Sequence, residues 1–451
     1  MSGQLHLFEI NDSKLVFDVE SDTLHEVDDL AWEVIDALEW GYSREDIYAL
    51  LSTRYPAEEI REVTGEIEEL KEKGKLWSPP GHPDFSQAAA PVVKALCLNV
   101  AHACNLTCRY CFAGKGEYRG QTSLMPAEVG KAAVDFLLQR SNGRSKAEID
   151  YFGGEPLLNM EAVKDITGYA RSKGDAVGTE FRFTLTTNGL LLNEEVCSYL
   201  SREGFSVILS LDGRPEVHDL MRSFPDGSAS YSRVLERLKE FLHQWKGSYY
   251  VRGTFTRYNR DFFQDVYHLY REGFRNLSLE PAVADPDKDW ALREEDLKEL
   301  ERQYRELADF YLECYRKGDP FTFFHFEIDL EEGPCLYKRL SGCGAGSEYL
   351  AVTPAGDLYP CHQLVGRQEY CMGNVFYPDQ VKEELPPEVF PPVGPTREEC
   401  RDCWVRYHCG GGCRAASLEV NGDPAVPYRL ECALQKTRLE CALYIKANLK
   451  E

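Results

Sequence analysis

Cys104-Asn105-Leu106-Thr107-Cys108-Arg109-Tyr110-Cys111 is the stretch that decides the fold, because its C-x3-C-x2-C spacing gathers three thiols on one short loop. The loop follows directly on residues 93–100, an apolar run typical of a buried strand. Three thiolates can bind three irons of a four-iron cube and leave the fourth iron open to a small molecule. A zinc site would need a fourth cysteine or histidine, and His102 is too close in sequence to Cys104 to reach round. The spacing therefore predicts an iron–sulfur cluster with one open iron.

This loop opens a region in which strand and helix patterns alternate. Strands are predicted at residues 93–100, 148–152, 181–187, 207–211, 250–255 and 276–279. Helices are predicted near 126–140, 161–172, 193–202, 230–245, 261–272 and 293–316. Six strand–helix units imply parallel strands with right-handed crossovers. We therefore expect an α/β fold, a partial (β/α)6 barrel over residues 93–316, with its chemistry at the C-terminal ends of the strands.

Further motifs stand where the predicted strands end. They are Gly153-Gly154-Glu155-Pro156 after the second strand, Thr186-Thr187-Asn188-Gly189 after the third, and Ser210-Leu211-Asp212-Gly213 after the fourth, followed by Arg222. Backbone carbonyls and a carboxylate can accept hydrogen bonds from an ammonium group, glycine lets the backbone come close, and arginine suits a carboxylate. Each motif alone could be a turn, a cap or a core ion pair. In this order, and with Phe112 directly after the third cysteine, they resemble the radical S-adenosylmethionine (SAM) superfamily.

The resemblance implies a catalytic [4Fe–4S] cluster on Cys104, Cys108 and Cys111, with SAM chelating its open iron. One electron would then cleave SAM, and the 5′-deoxyadenosyl radical would take a hydrogen atom from the substrate. The SAM-binding positions that the resemblance implies are Tyr110, Phe112, Gly154, Glu155, Pro156, Asn188, Ser210, Asp212 and Arg222. Arg252 and Glu280, on the fifth and sixth strands, are weaker candidates.

Seven more cysteines form a second pattern, Cys343-x12-Gly356-x4-Cys361 followed by Cys400-x2-Cys403-x5-Cys409-x3-Cys413 and Cys432. The pattern resembles the SPASM domain of radical SAM peptide maturases, which implies two auxiliary [4Fe–4S] clusters. The resemblance implies an outer cluster on Cys400, Cys403, Cys409 and Cys432, and an inner cluster on Cys343, Cys361 and Cys413. The fourth inner ligand stays open between Cys335, Cys371 and a substrate thiolate. A zinc ribbon is the competing interpretation.

Residues 1–77 are expected to form a separate domain, with strands at 5–10 and 15–19 and three short helices. This order resembles a winged helix, but residues 1–76 hold 20 acidic and 7 basic side chains, which would repel nucleic acid. It also resembles the RiPP recognition element of peptide-modifying enzymes, in which a leader peptide adds a strand to the sheet edge. A small capping domain without a ligand is the alternative. Residues 78–92 are expected to be a linker, and residues 317–451 a SPASM domain.

The net charge and the composition limit where this protein works and what it binds. The formal charge of -24 argues against nucleic acid and against an anionic membrane surface. No basic and apolar signal sequence begins the chain, and no apolar run reaches the roughly 18 residues of a membrane span. We therefore expect a cytoplasmic protein whose 16 cysteines form no disulfides. Those without close neighbours are expected to be buried apolar residues, namely Cys97, Cys197, Cys314 and Cys441.

The order of the three domains resembles the SCIFF maturases. That resemblance implies thioether crosslinks, from cysteine sulfur to carbon, in a cysteine-rich precursor peptide whose leader is held by the N-terminal domain. It also implies an electron donor such as flavodoxin or ferredoxin. Two other interpretations stay open: a sulfatase-type maturase that oxidises cysteine or serine to formylglycine, and a non-catalytic metal-binding protein that holds peptides.

Overall fold

The N-terminal unit is a three-stranded antiparallel sheet followed by three helices. The computed structural model describes residues 4–80, 92–120, 122–330, 342–393 and 397–449. The N-terminal elements are β1 (Leu5–Ile10), β2 (Ser13–Asp18), β3 (Thr23–Val27), α1 (Asp29–Glu39), α2 (Arg44–Leu51) and α3 (Ala57–Glu72). Ser43 and Asp46 cap α2 reciprocally, as their spacing predicts. The predicted linker, residues 78–92, falls largely outside the described residues.

The third strand, β3, is an element that the sequence analysis missed. Its five residues include a single fully buried side chain, Leu24, so it shows no clear alternation. It pairs antiparallel with β2 along one edge. Within the described residues no strand pairs with its other edge, which leaves backbone donors and acceptors there for a further strand.

Residues 92–330 form the predicted parallel sheet with its covering helices. In chain order the elements are β4 (Ala95–His102), β5 (Thr107–Cys108), β6 (Ser123–Leu124), α4 (Ala127–Arg140), β7 (Lys146–Gly153), α5 (Met160–Val177), β8 (Glu180–Thr187), α6 (Glu194–Arg202), β9 (Ser206–Ser210), α7 (Pro215–Met221), β10 (Arg222–Ser223), α8 (Tyr231–Gln244), β11 (Tyr249–Phe255), α9 (Phe262–Arg271), β12 (Asn276–Pro281), α10 (Leu297–Arg316) and β13 (Thr322–Phe323). The six predicted strands correspond to β4, β7, β8, β9, β11 and β12, and each pairs in parallel with its neighbour.

The sheet continues past both ends of the predicted barrel. β13 pairs in parallel with β12, so the sheet extends beyond residue 316, where the sequence analysis placed a domain boundary. At the other end β14 (Tyr349–Val352) pairs in parallel with β4, and β15 (Asp357–Tyr359) and β16 (Gly373–Asn374) follow. The C-terminal cysteine-rich region is therefore built directly onto the barrel sheet.

The C-terminal region also contains helices that the sequence analysis did not predict. They are α11 (Glu398–Arg401), α12 (Arg406–Cys409), α13 (Arg414–Asn421) and α14 (Arg429–Asn448). Helix α14 packs against α10 and also touches β1 and β3. Because it is buried on several faces, its apolar residues do not form the single stripe by which a helix is usually found.

Across the described ranges, none of the helices combines the length and the apolar character that a membrane crossing requires.

Candidate active site and iron–sulfur sites

The three cysteines of the C-x3-C-x2-C loop line one cavity of about 240 Å³ at the C-terminal ends of the barrel strands. Most of the residues predicted to bind SAM line the same cavity: Tyr110, Phe112, Gly154, Asn188, Ser210 and Arg222. Arg252 and Glu280, the weaker candidates, line it as well. Glu155, Pro156 and Asp212 do not line it and lie behind its wall.

The cluster loop is held in place by backbone pairing on two sides. On one side β5 pairs with β10, which makes Cys108 the cross-strand neighbour of Arg222. On the other side the Gly154 amide donates to the Ala101 carbonyl at 2.7 Å. Gly153 has a φ of 137°, and a β-carbon on Gly154 would lie against the backbone of Ala103. The glycines of this motif are therefore needed for backbone shape and close approach.

The thiols of this loop lie close enough to influence each other's protonation. Burial, with a smaller contribution from the neighbouring Cys111 thiol, raises the pKa of Cys104 to about 11 and that of Cys108 to about 12. Asn188 donates to the Asn105 side chain at 2.7 Å, and its amide nitrogen lies 3.8 Å from the Cys104 sulfur. The free thiols of Cys104 and Cys108 are thus protonated at neutral pH, and binding iron would displace their protons.

Arg222 belongs to a buried charged network at the base of the cavity. Its Nε donates to Asp212 at 3.0 Å, and its Nη1 lies 3.9 Å from the Cys108 sulfur. The hydroxyl of Tyr110 also donates to Asp212. Burial lowers the pKa of Arg222, but the Asp212 carboxylate raises it by more, so the pKa lies well above its usual value. Asp212 therefore holds a charged Arg222 at the cavity wall and does not itself face the cavity.

Glu155 is a fully buried carboxylate that supports the same wall from behind. It accepts hydrogen bonds from the Leu157 amide at 3.0 Å, the Thr187 hydroxyl at 2.8 Å and the Asn188 amide at 2.8 Å. Burial raises its pKa to about 7, and these three donors oppose that shift. Glu155 thereby joins the end of β7 to the end of β8.

Several cavity residues were not singled out from the sequence. His362 lines the cavity and packs near the rings of Phe112 and Phe152, at centroid distances of 5.4 and 5.1 Å. Burial lowers the pKa of His362 to about 4, so its imidazole is neutral. Lys115 also lines the cavity. The sequence did offer one indication for His362: it directly follows Cys361, a predicted cluster ligand.

Glu280 is a cavity carboxylate tied into a buried ion-pair network. It lies 2.9 Å from Nε2 of His325 and 3.8 Å from Nη2 of Arg438. Although burial opposes the shift, His325 and Arg438 hold the pKa of Glu280 well below its usual range. Arg252, by contrast, is exposed towards the cavity.

The seven cysteines of the second pattern influence one another's pKa within two sets. Burial, with smaller contributions from the Cys413 and Cys343 thiols, raises the pKa of Cys361 to about 12. Burial, with smaller contributions from the Cys409, Cys400 and Cys403 thiols, likewise raises the pKa of Cys432 to about 12. The first set is Cys343, Cys361 and Cys413, and the second is Cys400, Cys403, Cys409 and Cys432.

Cys335 and Cys371 are the two cysteines of this chain that the sequence analysis considered as the fourth ligand of the inner set. Cys335 lies outside the described residues. Cys371 is half-buried, and its sulfur lies 3.8 Å from the Gly373 carbonyl oxygen. Cys97, Cys197, Cys314 and Cys441 are buried apolar residues, as predicted.

The donor sets fit iron–sulfur clusters better than single ions. Among the described residues, no three His, Cys, Asp or Glu side chains converge closely enough to hold one metal ion. A zinc ion needs all four ligands within about 2.3 Å of one point, whereas each thiolate of a cube binds a different iron. Groups of three and four thiols that influence one another's pKa suit the second arrangement.

Comparison with known proteins gives the same picture of the barrel. Residues 98–269 match the family model of the Radical SAM superfamily. The cysteine-type anaerobic sulfatase-maturating enzyme of Clostridium perfringens (strain ATCC 13124) is 28% identical over 371 residues, 78% of this chain and 96% of that enzyme. The structure of native anSMEcpe with bound AdoMet superposes with a TM-score of 0.65 at 25% identity, covering 79% of this chain and 100% of that one.

A second solved structure covers more of this chain. Streptococcus suis SuiB bound to precursor peptide SuiA has a TM-score of 0.53 at 14% identity, covering 94% of this chain and 98% of that one. Because residues 1–77 make up more than the uncovered 6% of 451 residues, this likeness in fold includes part of the N-terminal domain.

Proposed function

Because residues 98–269 match the family model of the Radical SAM superfamily, we propose that this chain is a peptide maturase that makes thioether crosslinks in a cysteine-rich precursor peptide. The observation that carries the proposal is three separate groups of thiols, one of which lines the cavity. When bound, SAM and its cluster supply a 5′-deoxyadenosyl radical that takes a hydrogen atom from a substrate carbon.

The proposed ligands are the three thiol groups described above. Cys104, Cys108 and Cys111 would hold the SAM-binding [4Fe–4S] cluster. An inner auxiliary cluster would use Cys343, Cys361 and Cys413, and an outer one Cys400, Cys403, Cys409 and Cys432. A thiol that coordinates iron loses its proton, and the three-thiol inner set leaves room for a ligand from the substrate.

The cavity residues have distinct proposed roles in holding SAM. The backbone at Gly154 faces the cavity and accepts hydrogen bonds from an ammonium group. Arg222, charged and held by Asp212, binds a carboxylate together with Ser210. Glu155 positions the wall from behind and makes no contact with the ligand.

The proposed reaction is an oxidation whose atoms and electrons balance. One C–H bond and one S–H bond break, and one C–S bond forms. The hydrogen atom leaves on 5′-deoxyadenosine, the thiol proton goes to solvent, and one electron has to be taken up. The need for an electron acceptor gives the two auxiliary sites a function.

Substrate recognition is proposed to begin at the N-terminal domain. The free edge of β3 offers a backbone ladder to an extended leader peptide, and the acidic surface of the domain favours a basic or neutral one. SuiB, whose fold resembles 94% of this chain, has been solved with the precursor peptide SuiA. A flavodoxin or ferredoxin as electron donor, and the cytoplasm as the place of action, complete the proposal.

A sulfatase-type maturase is the second candidate, favoured by the 28% identical relative. Oxidising a cysteine or serine side chain to formylglycine releases a proton, which a nearby base such as a carboxylate has to accept. Among the described residues that line the cavity, the carboxylate is that of Glu280, and His325 and Arg438 hold its pKa low. A carboxylate held in this way is a poor base near neutral pH, which supports the thioether reaction over this alternative.

The test is anaerobic incubation with SAM, a reductant and a cysteine-rich precursor peptide, followed by mass spectrometry. We expect 5′-deoxyadenosine, a peptide lighter by two hydrogens, and retention of sulfur in a crosslink that resists thiol alkylation. Loss of the cysteine sulfur would instead indicate formylglycine. Deoxyadenosine with an unchanged peptide mass would contradict both. Cys104→Ala serves as the control without SAM cleavage.

A further inference from the structure

The segment between Cys403 and Cys409 is one of the places where the C-terminal region contacts the N-terminal domain. The His6 ring stacks on Trp404 with their centroids 3.6 Å apart. Nε2 of His408 lies 3.1 Å from Asp22. Two of the segment's side chains thus touch the N-terminal domain directly.

Two more residues of the segment converge on one glutamate of the N-terminal domain. Arg406 donates to Glu20, and the Tyr407 hydroxyl donates to the same carboxylate at 3.0 Å. Arg406 also donates to the Gln4 side chain at 2.6 Å. Four of the five residues between the two cysteines therefore have partners in the N-terminal domain.

These contacts are buried, which makes the fit specific. The Arg406 side chain is 9% exposed and the Glu20 side chain 5% exposed. Buried charges require their partners, because an unpaired charge in such a place is strongly unfavourable. Glu20 and Asp22 belong to the turn that joins β2 to β3, and β3 is the strand whose outer edge no described strand pairs with.

We propose that the N-terminal domain completes the outer iron–sulfur site, by fixing residues 404–408 in the shape that presents Cys403 and Cys409 to the cluster. The proposal rests on the outer ligand set given under the proposed function. Coupling of this kind is reciprocal: if domain docking favours the cluster, the cluster favours domain docking to the same degree. Peptide-recognition domain and outer site are then one cooperative unit.

The first test measures iron and sulfide in anaerobically reconstituted Glu20→Gln and Arg406→Gln chains. We expect iron to fall from three clusters to two in both variants, while the SAM-binding cluster and SAM cleavage persist. The matched control is Glu419→Gln, which removes the 2.6 Å ion pair of Arg367 and Glu419 in the C-terminal region but leaves the domain contact intact. Iron equal to that of the control would overturn the proposal.

The second test measures the reverse direction by hydrogen exchange. In a chain with Cys400→Ala and Cys432→Ala, exchange over residues 4–27 should speed up at least tenfold relative to the fully loaded wild type. Unchanged exchange would refute the coupling even though the outer ligand set stands. A wild-type chain that takes up iron for the SAM-binding cluster alone would instead refute the auxiliary sites, and this inference with them.

Discussion

Gly154→Ala tests the support of the cluster loop most directly. A β-carbon at residue 154 would lie 3.0 Å from the Cys104 backbone nitrogen. It would also lie more than an ångström inside the roughly 3.3 Å at which it could touch the Ala103 carbonyl oxygen. Backbone atoms cannot rotate aside as a flexible side chain can, so the loop that begins at Cys104 has to shift by about 1 Å. A misplacement of about 1 Å at a reacting centre can cost on the order of 100-fold in rate.

The assay for this prediction is the rate of 5′-deoxyadenosine formation with a chemical reductant and no peptide. We expect Gly154→Ala to be about 100-fold slower than the wild type. The matched control is Gly168→Ala inside α5, where nothing lies within 4 Å of the added carbon. Alanine there should stabilise the helix by about 1 kcal/mol. Equal rates in the two variants would show that the loop does not need the close approach at Gly154.

Other substitutions probe the buried polar groups and the outer site. Burial raises the pKa of Asp150 to about 6, so its contribution to stability is complete below the usual 3.8 and is lost as the pH rises through 6. The free energy of unfolding of the wild type should therefore fall by about 2 kcal/mol more than that of Asp150→Asn between pH 4 and 7, as measured by thermal midpoints. The same pH dependence in both chains would contradict this. Tyr110→Phe keeps the ring beside Trp290 but removes the hydrogen bond from the Tyr110 hydroxyl to Asp212. A hydrogen bond to a charged group contributes about 1.5–3 kcal/mol. SAM should therefore bind about 10-fold more weakly, as measured by spectroscopic titration. An unchanged Kd would refute that role. Cys432→Ala should lose the iron of the outer site and keep peptide-free SAM cleavage; loss of cleavage would contradict separate sites.

The sequence predicts the barrel well because its strands are short apolar runs with turn signals after them. The six parallel strands lie within a few residues of their predicted bounds, and the predicted motifs stand at their C-terminal ends. Once the strands are parallel, residues that are far apart in the chain meet at one edge of the sheet. That is why Cys104, Asn188 and Arg222 line one cavity although about 120 residues separate the first from the last.

Other features depend on contacts that no local pattern contains. β3 is short and only partly buried, and it is a strand because β2 pairs with it. Asp212 follows a strand end as a cofactor-binding residue would, yet it faces Arg222 and Tyr110, which only the fold brings beside it. The contact between Glu20 and Arg406 joins residues 386 positions apart, and the sequence around neither residue predicts it.

The buried carboxylates limit how a substrate thiol can be activated. Glu155 is enclosed by three donors, Asp212 is paired with Arg222, and Glu280 is paired with His325. Along the described cavity wall, this leaves no carboxylate free to accept a proton from a thiol. Coordination to a metal removes a thiol proton without any base. The inner site proposed above, with three thiols of its own, would provide that kind of activation, so cysteine spacing and carboxylate pairing both favour the proposed chemistry at sulfur.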